Sequence, residues 1–141
     1  MKRFRLADRA DLAVFYEADA ACFRAAGRED MLQLVSKDVF VSHYSGCPSI
    51  GFVCDGNAIG GIILDRDHAH LAVLPDYHGR WAILWKPALE WLFRMTPEAW
   101  GIVEADNRVC LEFMTRNGWT GVPASDGRIV FRITPRTSRR P

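Results

Sequence analysis

A membrane-crossing helix needs about 20 consecutive apolar residues, and no run in this chain comes near that length. The start, Met1-Lys2-Arg3-Phe4-Arg5-Leu6-Ala7-Asp8, lacks the apolar core of a signal peptide, so a cytoplasmic protein is expected. No Cys-x-x-Cys pair is present. Cys22, Cys47, Cys54 and Cys110 are spaced like no zinc motif, so no metal site is expected and the thiols read as reduced, mostly buried small hydrophobes. Charge of one sign is also missing. Lysine and arginine number 18 against 17 acids, a net +1 at pH 7, which leaves no electrostatic case for a nucleic-acid partner. The nearest thing to a basic cluster is the end, residues 134–141. It holds Arg136, Arg139 and Arg140 and reads as a solvated, disordered tail.

What is there suits one globular domain over residues 1–133. Hydrophobic residues make up 49% of the 141, enough to bury a core. Residues 2–7 alternate as a strand. Asp8 reads as the cap of a helix running from Arg9 to about Ala26, where Gly27 ends it. Leu12, Phe15, Tyr16, Ala20 and Phe23 form its apolar stripe, a packing face. A second helical piece is expected over Glu29 to Ser36, and residues 37–48 look irregular. Ile50–Cys54 and Ala58–Leu64 form a hairpin about Asp55-Gly56-Asn57. Gly60-Gly61 inside the second strand suggests a bulge or the close approach of another backbone.

The stretch His68 to Ile83 organises the rest. Leu71 and Val73 share one face of a strand, and His70 and Ala72 the other. Pro75 stops it. A polar turn, Asp76 to Arg80, then leads into an aromatic helix from Trp81 to about Met95. Strand, glycine-containing turn and helix start make a pocket for an anion, because free N–H groups and the macrodipole point at it. His78 and Arg80 add polar side chains, and the expected ligand is a pyrophosphate. Trp81 is placed either to stack on a ligand or to plug the turn. Pro87 removes one helix hydrogen bond, so a restart near Lys86 is expected. Residues 99–105 read as a buried strand. Asn107 caps the following helix, Gly118 closes it, and Arg128–Ile133 alternates as a last strand.

These residues resemble the GNAT superfamily of acyl-CoA-dependent N-acetyltransferases. The family's strand ends Val-x-Pro before Arg/Gln-x-x-Gly-x-Gly/Ala; here stand Val73-Leu74-Pro75 and His78-Gly79-Arg80-Trp81-Ala82-Ile83. A second block, with Asn107, Cys110, Phe113-Met114 and Gly118-Trp119, keeps the family's spacings about thirty residues downstream. Together with the element order, the resemblance covers nearly the whole chain. It implies a mixed α/β fold of six or seven strands and about four helices, with two parallel strands splayed apart. It also implies acetyl-CoA as cosubstrate, held by Leu71, Ala72, Val73, His78, Gly79, Arg80, Trp81, Ala82, Ile83 and Asn107.

Transfer to an amine needs an oxyanion donor, for which a backbone N–H near Ala72–Val73 is suited, and a proton sink. His70 is the favoured base, with Glu104, His68 and Asp67 also considered. The chain departs from the family at His78, Trp81 and Ile83. It also has Met114 where many members carry a tyrosine that protonates the leaving thiolate, and a thioether donates no proton. Tyr77 and Tyr16 are the phenols considered in its place. Two functions therefore stand open: an N-acetyltransferase acting on an unidentified small-molecule or protein amine, and a GNAT-fold protein without catalysis that serves as a structural or binding component, as a homodimer or in an assembly. The pattern is also similar to short GNAT-like proteins of bacteriophages and prophages, for which a place in the virion is the other expected location.

Overall fold

The computed structural model describes residues 2–25, 27–124 and 126–135. Of the tail expected over residues 134–141, residues 136–141 lie outside them. The strands are β1 (Phe4–Ala7), β2 (Ser49–Cys54), β3 (Asn57–Asp65), β4 (His68–Val73), β5 (Ala99–Glu104), β6 (Gly121–Pro123) and β7 (Arg128–Ile133). The helices are α1 (Leu12–Ala25), α2 (Lys37–Tyr44), α3 (Trp85–Met95) and α4 (Arg108–Arg116). The strands form one sheet in the order β1-β2-β3-β4-β5-β7-β6. Neighbours are antiparallel except β4 and β5.

The sheet divides the core. On one side α3 and α4 cover Phe52, Ile62, Leu64, Val73, Val103 and Phe131. On the other, α1 and α2 pack Phe15, Ala18 and Phe40 against Ile63 of β3 and Ala72 of β4. The alternation read from β4 is kept: Leu71 and Val73 belong to the first layer and Ala72 to the second. No helix of the described residues is long and apolar enough to cross a membrane.

Three local expectations change. α1 begins at Leu12, and its cap is Asp11, whose Oδ1 accepts from Val14 N at 3.1 Å, rather than Asp8. The piece after Gly27 is a short 3-10 segment, Glu29–Gln33, and the longer helix is α2 in the stretch expected to be irregular. Ser36 supplies its cap, accepting from Val39 N. A capped turn thus outweighed the weak apolar pattern there. The cysteines are free, but only Cys54 is buried and Cys22 is exposed.

Pro87 acts as expected. Trp81–Leu84 forms one 3-10 turn, and the α-helix starts afresh at Trp85, which places Pro87 in the first turn where its missing N–H costs nothing. The Asp55-Gly56 turn has positive φ at both residues (51° and 84°), the geometry of the tight hairpin. The register of β2 on β3 slips between Phe52 and Val53, leaving Ile59 as the extra residue of a bulge. Beside it, a Cβ on Gly60 would lie 2.1 Å from the Ala72 carbonyl oxygen, so β4 approaches as closely as the glycine pair suggested.

Candidate functional site

The parallel contact of β4 and β5 is a single pair, His68 with Trp100, fixed by Trp100 N–H donating to Asp67 O at 2.7 Å. Beyond it the strands part. Leu74 N–H donates to Ile59 O, so the even residues of β4 direct their backbone groups to β3. The odd residues direct theirs the other way. Leu71 and Val73 therefore present N–H and C=O to the interval between the strands. The backbone of Ala72 is turned to Gly61 of β3 instead, so of the three strand residues expected to hold a cofactor, two face the gap.

The turn after β4 folds tightly. Pro75–Tyr77 is one 3-10 turn, His78 N–H donates to Pro75 O and Arg80 N–H to Tyr77 O. Gly79 has φ 83°, a conformation side chains disfavour. The Arg80 guanidinium is exposed, and among the described residues it makes no ion pair, so it is available to an anion. The His78 imidazole N–H instead donates back to Val73 O at 2.7 Å, closing one of the gap-facing carbonyls.

Trp81 neither covers the turn nor meets solvent. Its indole lies in the core, stacked on Phe52 with centroids 5.4 Å apart and in contact with Trp85 and Phe113. Ala82 and Ile83 are the outward residues, Ile83 with 72% of its surface exposed. A branched side chain thus stands at the mouth of the turn where the family pattern has glycine or alanine.

The catalytic candidates share the α1 side of the sheet without meeting. His70 lies edge-on to Tyr44 of α2, ring centroids 5.6 Å apart. Burial, offset only in part by Asp65, holds its pKa below the usual value, so the ring is neutral at pH 7. Glu104, at the end of β5, is held by Arg28 at 3.2 Å. Asn107 caps α4, its Oδ1 accepting from Cys110 N, and its Nδ2 donates to Cys22 Sγ at 3.6 Å. His68 sits 3.2 Å from Asp67. Met114 is buried against Gly101. Tyr16 is spent on a hydrogen bond to Val35 O, and Tyr77 belongs to the α3 layer. The phenol beside His70 is Tyr44, which has no signal in the sequence because α2 carries no helical apolar stripe.

A second missed residue is Asp19 of α1. Burial alone raises its carboxyl to about 6. A signal existed: the helical period through Leu12, Phe15, Tyr16 and Phe23 passes through position 19, and an acid there interrupts an otherwise apolar face. Among the described residues no group of three or more histidines, cysteines or acids is arranged to hold a metal.

No protein-family model matches the chain, and no curated protein matches it in sequence. Solved structures do match its fold. PaiA N-acetyltransferase from Thermoplasma acidophilum, in complex with coenzyme A, is 16% identical with a TM-score of 0.70, over 94% of this chain and 99% of that one. A GNAT-family acetyltransferase from Staphylococcus aureus is 11% identical with a TM-score of 0.64, over 92% and 98%. An acetyltransferase from Thermus thermophilus is 16% identical with a TM-score of 0.63, over 92% and 96%. The seven-stranded mixed sheet with four helices is therefore the GNAT acetyltransferase fold.

Proposed function

We propose that the chain is an acyl-CoA-dependent N-acyltransferase that passes an acetyl group from acetyl-CoA to an amine. The observation that carries this reading is the parting of β4 from β5 after one pair, which turns the backbone of Leu71 and Val73 toward an open interval. Strand-edge N–H and C=O groups are obligatory hydrogen-bonding groups, and the amides of a pantetheine arm match them. The bound coenzyme A of the Thermoplasma relative, on the same fold, agrees with that ligand. Arg80 and the N–H groups at the start of the Trp81 turn are suited to the pyrophosphate. The Val73 N–H is the donor for the thioester oxygen as it gains charge. His70, neutral and beside Tyr44, serves as a proton acceptor on the acceptor side. Tyr44 stands as the phenol that returns a proton to the leaving thiolate.

Two departures favour a second reading, a GNAT-fold binding component without catalysis. His78 already occupies the Val73 carbonyl, and Ile83 narrows the approach to the turn. Titration with acetyl-CoA and CoA separates the two. A ligand at a hundred times its dissociation constant adds about 2.7 kcal/mol of stability, a rise of several degrees in melting temperature for a chain of this length. The enzyme reading expects that rise, and its loss in Arg80→Ala. No rise with millimolar acetyl-CoA would sink it and leave the binding component.

A further inference from the structure

The reading above leaves one acid on the α1 side unused. α1 crosses the parted strands. Phe15 and Ala18 pack with Ile63 of β3 and Ala72 of β4. One turn later Cys22 meets Asn107, past the end of β5, and Arg28 holds Glu104 at that strand's last residue. Asp19 follows Ala18 and precedes Cys22 by three positions. The helix therefore carries it across the interval between β4 and β5, above the place where a thioester held by Leu71 and Val73 would emerge.

Its surroundings lack a counter-charge. Among the described residues no ion pair or hydrogen bond reaches the Asp19 carboxylate. The titratable groups facing it are Cys22 on its own helix and Tyr44 on α2, with Asp65 and His70 of the sheet beyond Tyr44. None is a cation at neutral pH, since His70 is held neutral. Tyr44 faces the acid and packs on Phe40, so rings of α2 border it, while Tyr16 on the far side of Phe40 already carries the Lys37 ammonium 6.0 Å over its ring, held by Glu17. An unpaired carboxylate beside aromatic rings is complementary to a single positive charge on an apolar arm.

We propose that Asp19 receives the acceptor: it binds the ammonium of a primary amine with an apolar arm and takes its proton. This rests on the transferase reading and names the substrate class of that same site. The ammonium gives one proton to the Asp19 carboxylate, and the freed nitrogen pair forms the C–N bond at the thioester carbon. The C–S bond breaks as the carbonyl re-forms. The second nitrogen proton passes to His70, Tyr44 gives the departing thiolate its proton and regains one from His70 beside it, and Asp19 later returns its own proton to water. Lifted to about 6, the Asp19 carboxylate is still ionised at neutral pH and is a stronger base than an ordinary aspartate.

The probe is phenethylamine with acetyl-CoA, followed by thiol release, in wild type, Asp19→Asn and Asp19→Glu. Asp19→Asn is expected to lower kcat/KM for the amine about 100-fold or more while acetyl-CoA affinity by calorimetry is unchanged. Asp19→Glu is expected to recover part of the rate. The acidic limb of the wild-type kcat/KM profile, near pH 6, disappears in the asparagine variant. Phenethyl alcohol, the same arm without the charge, does not compete. An asparagine variant with the wild-type rate and limb would overturn the role of Asp19 alone. Competition by the alcohol as strong as by the amine, or no turnover of phenethylamine by an enzyme that binds acetyl-CoA, would overturn the substrate class. Wild-type protein that fails to bind acetyl-CoA overturns the transferase reading itself.

Discussion

Single residues carry the departures from the family pattern, and they differ in what they touch. Trp81 occupies a position where a small residue is usual, yet its ring belongs to the core and not to the ligand turn. Replacing it with glycine therefore does not clear an obstructed site. It removes an indole that Phe52, Trp85 and Phe113 all contact. Large-to-small changes of this kind cost about 3–5 kcal/mol. For a domain of this length that is a fall of roughly 10 °C in melting temperature. Thermal unfolding of Trp81→Gly checks this. A variant that melts like the wild type and binds CoA more tightly would return the indole to the turn. Ile83 is the opposite case: its side chain is exposed and takes no part in the core.

Among the elements, the hairpin of β3 and β4 does most to place the site. The bulge at Ile59 lets Gly60 come under the Ala72 carbonyl and brings Val73 to the end of the strand. A methyl group on Gly60 would sit 2.8 Å from Val73 Cα as well as against that carbonyl, so backbone and not side chain has to move. Gly60→Ala is expected to destabilise the fold by several kcal/mol, at the upper end for single substitutions. Urea unfolding measures it, and a loss under about 0.5 kcal/mol, the size of an ordinary surface change, would show that the strands can part without cost. The helices were less evenly readable. α3 was legible through its run of aromatic and apolar residues, and α4 through Asn107 and Gly118 at its two ends. α2 was not, because Val39, Phe40, Val41 and Tyr44 make no helical stripe, and Ser36, which caps it, also closes the apolar stretch that begins at Glu29.

Across the whole molecule, the fold was open to sequence reasoning because its signals are local. Alternation in β4 and β7, the Asp55-Gly56 turn, the glycine pair and the proline restart each act within a few residues. The candidate site is not local. The pairing of Tyr44 with His70 joins α2 to β4, and the hold of Arg28 on Glu104 joins the end of α1 to β5. The isolation of Asp19 depends on what fails to reach it. No spacing along the chain encodes such meetings, so the ion pair of Glu104 with Arg28 and the contact of Asn107 with Cys22 leave no trace in the sequence, whereas the cap that Asn107 makes is local and was legible.

The one-pair contact of β4 with β5 also sets how the strand trades hydrogen with water. His70 and Ala72 have their amides bonded to β3, whereas those of Leu71 and Val73 face the interval. Deuterium uptake over residues 70–73 of β4 is then expected to alternate, slow at His70 and Ala72 and fast at Leu71 and Val73. A molecule laid along the gap would erase that alternation at Leu71 and Val73. Uniform slow uptake in the free protein would mean that the gap is already closed. The strand thus reports on its own occupancy, amide by amide, before any acceptor is known.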